Sequence, residues 1–364
     1  MLNGFFSGKK IFITGHTGFK GAWLSYWLTR LGAEVTGYSI DVPTKPSFFE
    51  ALELRNRVTH REGDIRNIQS LKAALKESAA EFVFHLAAQS IVLESFDNPI
   101  ETFDTNLIGT LQVLEAVRNT PGIRTVIVIT TDKVYENPES GQKFVESDPL
   151  GGSDPYSASK AGAEIAFKAY FRSFFSGELP KLATARAGNV IGGGDWSAYR
   201  IVPDAYRAWA DKVSLEIRNP ESVRPWQHVL EPLAGYLRLA YCMSEGLIKN
   251  GESFNFGPGQ AQSLSVRAIV EKLQSNWPDL KWHESKSGVT REASRLELDS
   301  TKASRDLDFR SFLDVDTTLD WSARWYEVFR DGDAAKLDEL TGKQISMFQE
   351  LAVQRGMKYF DEFN

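Results

Sequence analysis

Tyr156-Ser157-Ala158-Ser159-Lys160 places a phenol and an ammonium four residues apart, on one face of a helix. A phenol with a pKa of roughly 10 is a poor base at neutral pH, and an adjacent cation favours the phenolate. The same ammonium can hold a cofactor ribose. Of eleven tyrosines, Tyr156 alone has lysine at the fourth following position. Upstream, Thr130-Thr131-Asp132-Lys133 closes the most apolar strand-like run of the chain, Thr125-Val126-Ile127-Val128-Ile129. Threonine offers a hydroxyl, aspartate a proton donor or acceptor, and lysine an amine whose pKa falls on desolvation. A hydrophilic strand exit that only caps the next turn is the plain alternative. Its conjunction with Tyr156 and Lys160 favours chemistry.

One segment can bind a nucleotide cofactor. Gly15-His16-Thr17-Gly18-Phe19-Lys20-Gly21 has glycines three apart, after the strand-like run Lys9–Thr14 and at the start of a helix. Missing side chains let backbone N–H groups approach a pyrophosphate at the helix N-terminus. A tight strand-to-helix turn with no ligand is the plain alternative. Asp41 lies 20 residues beyond Gly21, where a carboxylate accepts hydrogen bonds from an adenosine ribose and repels a 2′-phosphate. That favours NAD over NADP, unless Asp41 is an ordinary loop carboxylate. Gly63-Asp64-Ile65 puts Asp64 beside an adenine amino group or, equally well, at a helix cap.

The elements that must position these residues alternate. Strand-like runs at Lys9–Thr14, Glu34–Ile40, Glu81–Leu86, Thr125–Thr130 and Leu182–Arg186 are separated by helical patterns, including Ala22–Leu31, Ile100–Val117 and Ser157–Phe175. Strands apolar along their whole length argue for a parallel sheet covered on both faces. The expected fold is α/β, a Rossmann-type doubly wound parallel sheet with a smaller, mostly helical C-terminal substrate lobe. Residues 1–188 would be the NAD-binding domain carrying the catalytic residues and 189–364 the lobe, with some segments crossing back. The charged helical tail from Gly332 would cover a surface or contact a partner subunit.

Composition sets the remaining bounds. The 364 residues are 42% hydrophobic and 25% charged, which excludes a disordered or fibrous chain. A net charge of −6 argues against nucleic acid as a partner. No run reaches the roughly 18 apolar residues of a membrane span, and the N-terminus has no basic head with an apolar run behind it. The single cysteine, Cys242, rules out a disulfide framework and suits a reducing, cytoplasmic compartment. The five histidines, His16, His60, His85, His228 and His283, lack metal-ligand spacing, so no metal is expected.

Taken with Leu86-Ala87-Ala88-Gln89, Arg186-Ala187-Gly188-Asn189-Val190-Ile191-Gly192-Gly193-Gly194-Asp195-Trp196 and Arg224-Pro225-Trp226-Gln227-His228-Val229-Leu230-Glu231-Pro232-Leu233, the motifs cover nearly the whole chain. Together they resemble the extended short-chain dehydrogenase/reductase family and, within its nucleotide-sugar branch, the 4,6-dehydratases that act on CDP-glucose. The resemblance implies a redox-neutral dehydration with NAD as resident cofactor. Tyr156 would take the C4 hydroxyl proton, Thr131 would hydrogen-bond that oxygen, and Asp132 would protonate the departing C6 hydroxyl. Lys133, or a water it holds, would handle the C5 proton. The related dTDP-glucose enzymes carry glutamate at that position. As an ammonium, Lys133 would instead stabilise the developing enolate.

The resemblance also assigns Leu86, Ala87, Ala88 and Ile65 to the cofactor, and Gln89, Ser90, Asn189, Arg200, Arg224 and His228 to the nucleotide sugar. A guanidinium matches a phosphate in forked geometry, although Arg224 in a surface ion pair and His228 as a structural residue fit as well. It further implies a homodimer or homotetramer through helices beside Ile100–Val117 and Ser157–Phe175. Two departures bear on the substrate. Gln89-Ser90-Ile91-Val92-Leu93-Glu94 lacks the proline and arginine usual there, and Tyr199-Arg200 stands where an Asp-Arg pair is usual. A different NDP-hexose, or an epimerase or reductase of the same fold, are the alternatives; a non-enzymatic dinucleotide sensor would not need Tyr156 with Lys160.

Overall fold

A computed structural model of the chain describes residues 2–139, 141–258, 263–285 and 296–360. Seven strands, β1 (Lys10–Thr14), β2 (Glu34–Ser39), β3 (Thr59–Glu62), β4 (Phe82–His85), β5 (Thr125–Ile129), β6 (Lys181–Ala187) and β7 (Ser253–Phe256), form one sheet. It runs from β3 through β2, β1, β4, β5 and β6 to β7, with every neighbouring pair parallel. The winding reverses between β1 and β4, which opens a crevice outside the carboxyl ends of the strands. Thr14 pairs with both Tyr38 and His85, so three strands end level there.

The inner strands form because both their faces are covered. Every residue of β4 and β5 is buried, whereas edge strand β3 is largely exposed. Alternation then sorts the side chains. Ile11, Ile13, Phe82, Phe84, Ile127 and Ile129 point into one core, and Phe12, Val83, Val126 and Val128 into the other. Helix α1 (Phe19–Arg30) packs in the first core. Helices α2 (Gly109–Arg118) and α3 (Pro155–Phe174) pack in the second.

Beyond residue 188 the chain builds short two-stranded pairs, Val190–Ile191 with Gln227–His228 and Val223–Pro225 with Ser263–Ser265. It also builds α4 (Ile201–Ala210), α5 (Leu230–Ser244), α6 (Val315–Arg330) and α7 (Ala334–Gln354). This part does not stay in the lobe. It supplies β7, and α5 lies in the same core as α1, so the second half completes the sheet of the first.

One expectation is revised, and a second is decided between its two alternatives. The helix expected over Ile100–Val117 is not continuous: a π turn, Asp104–Ile108, sits between Pro99–Phe103 and α2. It brings Asn106, fully buried, to the main chain of Gln89, accepting from its N–H at 2.9 Å and donating to its carbonyl at 3.0 Å. The tail from Gly332 covers this chain's own α1: Tyr26 donates to Asp338 at 2.9 Å, and the rings of Trp27 and Phe348 meet at 5.8 Å.

Candidate active site

At the carboxyl end of β1 the chain turns so tightly that only glycine fits. Gly15 has φ +75°, and a Cβ there would lie 2.6 Å from the nitrogen of Ala87. A Cβ on Gly21 would lie 2.0 Å from the carbonyl oxygen of Gly15. Gly18 is the N-cap of α1 and offers no side-chain acceptor, so the first-turn N–H groups are left for an anion. A Cβ on Gly18 would meet nothing nearer than the Gly15 oxygen at 3.5 Å, which leaves open space in front of the turn. Thr17 donates to the carbonyl of Asp41 at 2.6 Å, anchoring the exposed end of β2 to the turn. These features fit a dinucleotide: a main-chain cradle for the diphosphate, Thr17, Phe19 and Lys20 beside it, and an exposed Asp41 carboxylate beyond β2.

The loop after β4 completes this side. Leu86 and Ala87 donate to the carbonyl and hydroxyl of Thr14 at 3.1 and 3.2 Å, which holds Leu86-Ala87-Ala88 against the turn. Ile65 is buried beneath Gly109, where a Cβ would lie 2.5 Å from its Cδ1. Asp64 caps no helix, and its partly exposed carboxylate is held by its neighbour. Arg66 grips both its oxygens at 2.8–3.1 Å, and that guanidinium lowers its pKa against the opposing effect of burial. The following helix, Ile68–Ser78, is capped by Asn67 instead.

The candidate reacting groups gather at the ends of β5 and β6. Thr131, Asp132, Tyr156 and Lys160 are each at most 8% exposed. Thr131 donates to Asp132 at 2.9 Å, and Gly188, just past β6, is bare where a Cβ would lie 2.9 Å from an oxygen of Asp132. Helix α3 is started by Asp154, which accepts from the Ser157 N–H at 2.9 Å, with Pro155 in the first turn. That start points Tyr156 and Lys160 at the sheet. Burial raises the Asp132 pKa despite Lys133, Thr131, Arg224 and Lys20, which favours the protonated acid. Burial likewise pulls Lys20 and Lys160 down to about 8.

Tyr156 departs from the sequence argument. Burial pushes its phenol up to about 12, and the groups that oppose this are the Thr131 hydroxyl and the Arg200 guanidinium. Lys160 instead reaches the carbonyl of Ile129 at 3.5 Å. Desolvation outweighs both the hydroxyl and the guanidinium, so burial favours the neutral phenol.

The expected sugar ligands divide. Arg200 spans the cleft, donating to Asp195 at 2.8 Å and to Ser90 at 3.2 Å. Arg224 is half-buried and close enough to Asp132 to lower its pKa. Asn189 is half-buried just beyond β6. Two residues sit elsewhere. Gln89 spends its amide on Thr102 and the carbonyl of Ile91, each at 3.0 Å. His228 is fully buried, its ring near those of Trp23 and Trp321, and burial drives its pKa down to about 3; it belongs to the core.

The profile of the GDP-mannose 4,6 dehydratase family matches residues 12–320. The chain belongs to that family. It is 42% identical over 335 residues to the CDP-glucose 4,6-dehydratase of Salmonella typhimurium, covering 90% of this chain and 93% of that one. It is 28% identical to a dTDP-glucose 4,6-dehydratase of Mycobacterium tuberculosis, over 91% and 99% of the two chains. Among solved structures, DesIV, the dTDP-glucose 4,6-dehydratase of Streptomyces venezuelae crystallised with NAD and TYD, superposes with a TM-score of 0.75. That match is at 24% identity and covers 88% and 98% of the two chains.

Within this GDP-mannose 4,6 dehydratase family member, three residues at the site escaped the reading of the sequence. Asn106 donates to Ser159 on α3 at 2.9 Å, and no spacing signalled it. Asp195 holds Arg200, although its place in the Gly-Gly-Gly-Asp-Trp loop marked it as polar in an apolar setting. Glu164 is a fully buried acid one turn beyond Lys160, and that spacing was the available signal. Among the described residues, no helix is long and apolar enough to cross a membrane and no group of three or more acidic, histidine or cysteine side chains is arranged to hold a metal.

Proposed function

We propose that the protein is a CDP-glucose 4,6-dehydratase, converting CDP-D-glucose to CDP-4-keto-6-deoxy-D-glucose with NAD. The observation that carries this reading is Asp132: a buried acid with a raised pKa, hydrogen-bonded to Thr131 and set with Lys133 on the same strand exit as the Tyr156 pocket. The 42% identity to the Salmonella enzyme supports the same reaction and substrate. An epimerase of this fold has no need of an acid for C6.

Bound on the glycine turn, NAD supplies a hydride acceptor at C4 and a donor at C6. Tyr156 takes the C4 hydroxyl proton, and Thr131 steadies that oxygen. To accept that proton Tyr156 must first give up its own; burial opposes this, and the Arg200 guanidinium and the Thr131 hydroxyl favour it. Once C4 is a ketone, the C5 hydrogen is acidic. Lys133, or a water it holds, receives that proton, and Asp132 protonates the C6 hydroxyl so that water leaves. Lys160 holds the cofactor ribose. Arg200 and Arg224, flanking the tyrosine and the acid, hold the diphosphate, with Asn189 and Ser90 beside them.

The division of labour follows the chain. Residues 1–188 bind cofactor and react, while 189–364 bind the nucleotide sugar and lend α5 and β7 back to the sheet. Ile100, Ile108 and Ile165 are 74%, 41% and 57% exposed on the helices over one sheet face, which supports a homodimer through that face. The buried free thiol of Cys242 supports a reducing, cytoplasmic setting.

Incubation with CDP-glucose and NAD in deuterated water tests the reaction. Mass spectrometry is expected to show a product lighter by one water and carrying one solvent deuterium. A recovered sugar nucleotide of unchanged mass would sink the proposal.

A further inference from the structure

Behind the reacting groups lies a charged pair with no access to solvent. Glu164 on α3 and Arg186 on β6 are both 0% exposed. Arg186 grips the carboxylate through two bonds, Nε to Oε1 at 2.9 Å and Nη2 to Oε2 at 2.8 Å. Three hydroxyls add to it, Thr130 donating to Oε1 at 2.6 Å, and Thr184 and Ser253 to Oε2 at 3.0 and 3.4 Å. These donors saturate the carboxylate, so protonating it would force one away. A buried pair of this kind adds little to stability compared with apolar side chains of the same volume. Its placement gives it another use. Tyr156, Lys160 and Glu164 follow each other at successive turns of one helix face, and Thr130 is the residue before Thr131 and Asp132.

We propose, resting on the reaction above, that Glu164 is a positioning residue: its carboxylate keeps Lys160 an ammonium and braces Thr130 so that Thr131 and Asp132 leave β5 facing Tyr156. The surroundings of Lys160 support this. His85, facing it from β4, is neutral, with its ring nitrogens 2.7 Å from the hydroxyl of Thr14 and 3.0 Å from that of Thr110. Lys20, from α1, is a like charge and pushes the wrong way. Burial lowers Lys160 to about 8, and Glu164 is the group that opposes the fall. On the far side of Glu164 stand Arg186 and Lys168, with Tyr135 donated to by Arg186 at 2.7 Å and Glu146 close behind. The negative end of the pair is therefore the end nearer Lys160.

The sign of the pH effect follows. The ammonium is the working form, so activity falls as pH rises through the Lys160 pKa, and losing the Glu164 charge moves that fall to lower pH. Rates of keto-sugar formation from CDP-glucose at saturating NAD are measured from neutral to alkaline pH. Glu164→Gln is expected to shift the alkaline limb down by about one unit, a loss of about fivefold at the wild-type midpoint that approaches ~tenfold above it, in kcat and not in the KM for CDP-glucose. Glu164→Gln strands Arg186 as an unpaired buried charge and is open to misfolding. Glu164→Gln/Arg186→Met removes both charges. It is expected to regain the wild-type melting temperature and to keep the shifted limb. In Lys160→Arg, whose guanidinium does not titrate, adding Glu164→Gln is expected to move no limb. A double variant whose limb coincides with that of wild type would overturn the proposal and leave Glu164 a packing residue. Wild-type protein inert to CDP-glucose would fail the substrate reading alone, and the limb is then read with dTDP- or UDP-glucose.

Discussion

At the turn between β1 and α1 the binding surface is main chain, whereas at the exits of β5 and β6 it is side chain. Gly15 and Gly21 contribute by lacking atoms, since a Cβ on either would strike backbone at 2.6 or 2.0 Å. Thr131, Asp132 and Tyr156 contribute by what burial does to their groups, raising the acid and the phenol alike. Lys20 stands on the first turn and acts electrostatically on Asp132 at the second. A dinucleotide diphosphate is the same in every enzyme that binds it, so a fixed backbone cradle serves. The reacting hexose needs protons given and taken at named atoms, which only titratable side chains provide.

The largest effect separates the two exits by chemistry. Asp132→Asn keeps the shape and the Thr131 contact but has no proton to give. Elimination is expected to slow ~10²–10⁴-fold, while NAD titrated against tryptophan fluorescence binds as in wild type. Quenched-flow measurement of solvent deuterium uptake reads the first, and unchanged turnover would remove Asp132 from the reaction. If NAD affinity fell in parallel, the two regions would not be independent.

The reverse change comes next. Gly21→Ala forces a methyl against the Gly15 carbonyl, a strain of ~3 kcal/mol or more. NAD affinity is expected to drop ~10²-fold or more, with the circular dichroism spectrum of the apoprotein retained. Tight NAD binding by that variant would show that the turn can open and that the cradle is less rigid than its contacts imply.

The same contrast explains what the sequence could disclose. A main-chain cradle needs glycines within one short run, and Gly15, Gly18 and Gly21 were legible on spacing alone. The sheet was legible too, because Phe82-Val83-Phe84 in β4 and Val126-Ile127-Val128-Ile129 in β5 are unbroken apolar runs, as burial of both faces demands. The π turn was not. Its residues include no glycine or proline to mark a break, and Asn106 bonds there to Gln89 and Ser159, partners 17 and 53 residues away in the chain. For His228, the residue type suggested a ligand, but its neighbours Trp23 and Trp321 come from opposite halves of the sequence. Asp64 is different. Its partner Arg66 lies two residues on, so the competing ion pair was present in the sequence. Tyr156 teaches the most: spacing located it, but burial, which spacing does not contain, set the direction of its pKa.

The smallest expected effect falls on the residue that joins the regions. Arg200 ties Asp195 of the lobe to Ser90 on the loop after β4, and its charge also favours ionised Tyr156. These two roles predict different kinetics. If Arg200 holds substrate, Arg200→Ala raises the KM for CDP-glucose and leaves kcat nearly unchanged, because binding is lost equally from ground and transition states. If it works through the tyrosine, kcat falls at constant KM. The bonds to Asp195 and Ser90 already fix the guanidinium across the mouth of the cleft, so the first outcome is expected, at ~tenfold, the loss of one charge-assisted hydrogen bond. Arg200→Lys sharpens the result: a lysine keeps the charge near Tyr156 but not the forked geometry. Recovery of kcat without recovery of KM would assign the charge to the tyrosine and the fork to the diphosphate.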